Sequence, residues 1–199
     1  WSRRGDRICS LPNHPSVISA LASDKDACLA AVGCTSGSLW LWELQSGKHV
    51  GTLPGHRAAI TCLEFHPFGS VFVSGSCDTN IKIWDPRQGR CVQTYRGHTS
   101  SVTCVQFSPH GRWLASGDEE GNIYLWDLSS GKLLSTCTLS SLCEYVSFHP
   151  NDFFLLTGTA DGLEIWSCED PRSLALMARH QMASAHKAVF STDGTGLWV

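Results

Sequence analysis

Five tryptophans recur along this chain at a nearly constant interval. Trp1, Trp42, Trp84, Trp126 and Trp166 are separated by 41, 42, 42 and 40 residues. Phe65, Phe107, Phe148 and Phe190 keep the same beat, at 42, 41 and 42. Gly55-His56 and Gly97-His98 hold a fixed phase to both, with a weaker Asn13-His14 ahead of them. Three markers in one phase define a repeat. Such a unit is too short to bury its own apolar face and must be stacked on its neighbours.

Inside each unit the pattern is β. "AITCLEF" and "SVTCVQF" carry β-branched and aromatic residues and stop at Pro and Gly. "SVFVSGS" and "RWLASGD" read as the next strand, turned at "CDTN" and "EEGN". "IKIWD" and "IYLWD" follow as the third, "RCVQTY" and "KLLSTC" as the fourth. No segment sustains a helical period. Four short antiparallel strands every 40–45 residues or so predict an all-β fold of β-propeller blades. The units are 2–42, 43–84, 85–126 and 127–166, with a partial one at 167–199, in a single partial propeller of about four and a half blades. Trp1 and the closing "STDGTGLWV" both read as mid-repeat, so blades are expected to be missing at both ends.

The formal charge of −3 and pI near 6.3 give no general attraction to nucleic acid or anionic lipid, and neither is expected as a partner. No apolar run reaches the roughly 18 residues of a membrane span. The 10 cysteines contain no C-x-x-C pair and several alternate with apolar residues, which suits small core hydrophobes rather than a metal site. Free thiols in that number point to a reducing compartment, cytosol or nucleus.

Gly-His followed at this phase by Trp-Asp resembles the WD40 repeat family, whose propellers resemble seven-bladed rings. The resemblance implies a buried network of His, Ser or Thr, Asp and Trp in each unit. The second unit carries His56, Ser74, Asp78 and Trp84. The third carries His98, Ser116 and Trp126, with Glu120 where Asp belongs. The first has His14 and Trp42, with Val32 and Ser36 at the other positions; the fourth has Thr157, Asp161 and Trp166 and no Gly-His. The degenerate first and fourth units are expected to be held more by apolar packing than by the network. A Ser-His-Asp set recurring once per repeat with Trp reads as structure, since a nucleophilic triad is built once, in a pocket.

"DTNIKIWD" followed by "YRGH", with "VQFSPHGRWLASG" and "FHPNDFFLLTGTADG", is similar to the WD40-bearing regulatory subunits of katanin. That likeness implies a non-catalytic scaffold without cofactors, in the cytoplasm and cytoskeleton at centrosome and spindle pole. Its partners would be microtubules and, through a C-terminal region absent here, the katanin catalytic AAA ATPase. No Walker-type phosphate loop occurs. A competing motif is "WDPR", which resembles the W-D-x-R box of WD40 substrate receptors of cullin-4 ubiquitin ligases; Asp85 and Arg87 would then meet the ligase adaptor. The family's partner-facing positions fall on Ala59, Thr61 and Cys77, on Ser101, Thr103 and Glu119, and on Leu142, Glu144 and Ala160. Arg57, Lys82, Arg87, Arg90, Arg96 and Arg112 form a basic group that could meet an acidic surface.

Overall fold

The computed structural model describes residues 16–181, 188–191 and 193–198. Within them the chain is entirely strands, turns and loops. The first sheet holds β1 (Ile18–Ser23), β2 (Leu29–Cys34), β3 (Leu39–Glu43) and β4 (Lys48–Leu53). The second holds β5 (Ile60–Phe65), β6 (Phe72–Ser76), β7 (Ile81–Asp85) and β8 (Arg90–Tyr95). The third holds β9 (Val102–Phe107), β10 (Trp113–Asp118), β11 (Asn122–Asp127) and β12 (Leu133–Thr138). The fourth holds β13 (Tyr145–Phe148), β14 (Phe154–Thr159), β15 (Gly162–Ser167) and β16 (Ala175–Gln181). A final pair, β17 (Val189–Phe190) and β18 (Leu197–Trp198), opens a fifth. Every sheet is an antiparallel meander in chain order, as short connections between neighbouring strands dictate.

The sequence repeat and the sheet are out of phase by one strand. A unit that ends at its Trp, such as 43–84, contains the outer strand β4 of one sheet and the three inner strands of the next. Each repeat therefore bridges two sheets covalently.

The core lies between sheets. Alternation in "IKIWD" sends Ile81 and Ile83 to one neighbour and Trp84 to the other. Trp84 and Phe72 pack on Leu39, Leu41 and Leu53 of the first sheet. Trp126 and Leu114 pack on Val73, Ile81 and Ile83 of the second. Trp166 and Leu155 pack on Ala115, Ile123 and Leu125 of the third. Close approach at the inner strands needs a missing side chain. A Cβ on Gly117 would lie 2.5 Å from the Cys143 Sγ and 2.9 Å from the Cys104 Sγ. Cys104 and Cys143 are buried there as small core residues, and every described cysteine is a free thiol.

Candidate functional site

The second sheet assembles the four residues of its unit into one hydrogen-bonded chain. Trp84 Nε1 donates to Ser74 Oγ at 2.7 Å, and Ser74 Oγ lies 2.6 Å from His56 Nε2. His56 Nδ1 lies 2.9 Å from Asp78 Oδ2. Because the indole can only donate and the carboxylate only accept, the serine donates to Nε2 and Nδ1 carries the imidazole proton. Burial lowers the His56 pKa against the pull of Asp78. Burial also pushes the Asp78 carboxyl up, but the Arg57 amide, His56 and the Asn80 amide outweigh it and hold it at about 2.

The third sheet builds the same chain with a displaced carboxylate. Trp126 Nε1 donates to Ser116 Oγ at 2.9 Å, and Ser116 Oγ meets His98 Nε2 at 2.7 Å. The acid on His98 Nδ1 is Asp118, at 2.7 Å, and not Glu120. Asp118 stands where the second sheet has Ser76, and its other oxygen accepts the amides of Glu120 and Asn122. Glu120 points outward and accepts from Thr99 Oγ1. The expected defect of this unit is thus absent, because an acid two residues earlier reaches the same imidazole.

The fourth sheet keeps only part of the chain. Trp166 Nε1 donates to Thr157 Oγ1 at 3.1 Å, while Asp161 accepts instead from Ser141 Oγ. In the first sheet buried Val32 takes the serine position and packs with Ala30 and Trp42, and His49 lies against Trp40 and Trp42. Ser36 hydrogen-bonds Ser16 and Ser38. His14 lies outside the described residues.

The partner-facing positions divide by what their side chains do. Thr61 Oγ1 donates to Val102 O and Thr103 Oγ1 to Cys143 O, so both hydroxyls tie one inner strand to the next. Cys77 and Glu119 are exposed, and their amides bond Ala59 O and Ser101 O, so these pairs share one rim. Glu144 is half-buried with its amide on Gly158 O, and Ala160 and Leu142 are exposed. The basic group does not form one patch. Arg57, Lys82 and Arg96 line a cleft beside Asp78, whereas Arg87 lines another, beyond the opposite end of β7. Asp85 Oδ1 accepts the Arg87 amide at 2.8 Å, closing its turn. The Arg87 cleft, about 630 Å³, also takes in Pro67, Pro86 and Phe68, which is 74% exposed.

Sequence reading missed a second set of links between sheets. His66 Nε2 donates to Gly111 O and His149 Nε2 to Gly194 O, both at 3.0 Å. Glu64 Oε2 accepts the Phe107 amide, and Gln106 Oε1 the Phe148 amide. The signal was present in Glu64 and Gln106, 42 residues apart and each just before a phased Phe, and in His66 and His149, each just after one.

Ser74 and Ser116 are fully buried and engaged from two sides, an arrangement that fixes strands rather than one poised to attack a substrate. Among the described residues no group of His, Cys, Asp and Glu is placed to hold a metal, and no helix is long and apolar enough to cross a membrane.

Four-stranded meanders stacked face to face with a Trp in each seam define a β-propeller segment. The family model described as WD domain, G-beta repeat matches residues 5–43, 47–85 and 89–127, more than half of the chain, and the chain belongs to that family. A solved structure titled "Crystal Structure of Mitotic Checkpoint Complex" matches with a TM-score of 0.85 at 21% identity, over 96% of this chain and 60% of that one. At that identity it shows the fold, and the chain spans 60% of the length of its structural counterpart. No curated protein matches the chain.

Proposed function

We propose that this chain is a non-catalytic scaffold of the katanin regulatory type, which helps direct a microtubule-severing AAA ATPase to microtubules and centrosomes. The observation that carries the reading is the spelling of residues 78–98. Thr79 is held at φ 66° at the turn position where the first and third sheets have Gly37 and Gly121, at φ 81° and 82°. A β-branched residue is disfavoured there, so the "DTN" of the katanin-like stretch is more particular than the turn requires. An interaction role fits the same geometry, since the Ser, His and Asp groups are used internally and the rims remain for partners. The cytoskeletal location and the severing partner follow from the resemblance and share its fate.

A second reading has its own support. Arg87, of a residue type enriched in binding hot spots, forms no ion pair among the described residues and shares its cleft with exposed Phe68. That suits a W-D-x-R contact with a cullin-4 ligase adaptor. Pull-down from cell extract with the wild-type chain and with Arg87→Ala separates the two. Recovery of tubulin, unchanged by the substitution, supports the scaffold of katanin type. Recovery of the ligase adaptor alone, lost in Arg87→Ala, replaces it with the second reading.

A further inference from the structure

At the rim between the third and fourth sheets the polar network gives way to an opening. Equivalent positions can be read through the strand pairing. Ser116 pairs with Tyr124, and Thr157 with Glu164, which in turn pairs with Arg179. In the third sheet two rings fill this place. Tyr124 stacks on His98 with centroids 4.2 Å apart and planes 11° apart, and its hydroxyl donates to Gly97 O. In the fourth sheet Glu164 replaces the phenol. Leu139 takes the imidazole's position, 18 residues before Thr157 as His98 stands 18 before Ser116, and its side chain is buried in the seam, with exposed Ser140 next to it. The phenol and the imidazole are both absent here, and a cleft of about 590 Å³ opens beside Glu164, lined by Ser140, Asp161, Glu164, Arg179 and His180 among others.

The cleft is built around an incompletely satisfied carboxylate. Glu164 Oε1 meets Arg179 at 2.7 Å, with the Glu164 side chain only 4% exposed. Its Oε2 is buried and has no hydrogen-bond partner among the described residues. A buried carboxylate oxygen without a donor is costly. Asp161 adds a second acid, so the two carboxylates exceed the one guanidinium by a full negative charge.

We propose that this cleft is a docking site for an arginine side chain presented by a partner polypeptide. A guanidinium is planar and donates in a fork that a carboxylate accepts. It would satisfy Glu164 Oε2, with Ser140 Oγ and the Asp161 carboxylate as further acceptors at the mouth. The assignment goes beyond the scaffold reading and does not depend on which partner that reading names.

The test is a titration of the chain, isotope-labelled to report the Glu164 side-chain carboxyl carbon, with N-acetyl-arginine amide. The lysine and citrulline analogues serve as comparisons. A saturable shift is expected with arginine, a weaker one with lysine and none with neutral citrulline. Glu164→Gln, followed instead through the Arg179 guanidinium resonance, should weaken arginine binding by about ten-fold or more. Ser140→Trp, at an exposed position, should block the cleft while leaving the Glu164–Arg179 pair, and it decides the matter if Glu164→Gln fails to fold. Unchanged Tyr124 and His98 ring resonances establish that each variant keeps the third sheet. Absence of a saturable shift, equal binding of citrulline or lysine, or undiminished binding in both variants overturns the assignment.

Discussion

Asp118 Oδ2 lies 2.7 Å from His98 Nδ1, although Asp118 sits two residues nearer its serine than Asp78 does in the preceding repeat. The same imidazole atom is thus reached from two different places in one kind of turn. Asp118 has a buried partner and two backbone donors, while Glu120 is exposed with one hydroxyl partner. Asp118→Ala should cost about 3 kcal/mol of folding stability, as expected for breaking a buried charged hydrogen-bond set. Glu120→Ala should stay within about 0.5 kcal/mol of wild type. Urea unfolding of the two variants measures both, and equal losses would mean that the network does not run through Asp118.

The histidines of the two complete networks give that stability a pH limit. Burial lowers the pKa of His56 and of His98 below the ordinary 6.5, against the pull of their aspartates. The unfolded chain therefore takes up these protons first, and stability should fall as pH drops through about 6.5. A midpoint flat between pH 7.5 and 5.5 or so would contradict neutral, buried imidazoles.

Glu64 should act with the opposite sign. Burial raises its carboxyl to about 8, the Phe107 amide opposing. Between its unfolded pKa of about 4.5 and the folded value the native chain keeps a proton that the unfolded chain has lost, so stability from this group declines as pH rises through that window. Gln106 performs the same task in the next repeat without a charge. Glu64→Gln should leave stability near pH 4 unchanged and raise it by about 1–3 kcal/mol at pH 8 and above. Melting curves of wild type and variant across that range test it; a constant difference would mean that Glu64 does not titrate in the native state.

Much of the fold was written in the periodic residues, because a Trp in every seam and a turn after each phased Phe, with Pro and Gly after Phe65 and Phe107, are local requirements of one repeated unit. The second unit's network was readable for the same reason. Asp118 was not, since counting from the serine assumes that the acid enters from one place in the turn. Thr61 and Thr103 were placed on the rim by offset, but where a hydroxyl points depends on the neighbouring sheet, 40 or so residues away. The Glu164 cleft needed strand register across three strands as well as the loss of two rings, and sequence shows only the missing Gly-His.

Thr79 carries backbone strain that can be relieved. Its φ of 66° is sterically costly for a β-branched side chain, and the equivalent turns use Gly37 and Gly121. Thr79→Gly removes that strain but adds freedom to the unfolded chain. A net gain of about 0.5–1 kcal/mol is expected from thermal or urea unfolding. A loss instead would mean that the Thr79 side chain makes contacts worth more than the strain.

A second set of links binds neighbouring blades at the end away from the network. His66 Nε2 donates to Gly111 O, 45 residues on, and Nδ1 accepts the Phe68 amide within its own turn, so one ring joins two blades. The third repeat has Ser108 in place of this histidine. Its hydroxyl accepts the Trp113 amide at 2.9 Å inside the same blade and makes no such crossing. His66→Ala should therefore cost about 1–2 kcal/mol, the value of a part-buried hydrogen bond and its orphaned carbonyl. Hydrogen exchange at the Phe107 amide, held across the same seam by Glu64, should quicken with it. His110→Ala, whose ring is exposed and bonds only within its own turn, should leave Phe107 exchange unchanged. If His66→Ala unfolds at the wild-type urea concentration and Phe107 exchanges no faster, the seam is held by apolar packing and the Thr61 hydroxyl, and the "FHP" histidine only shapes its own turn.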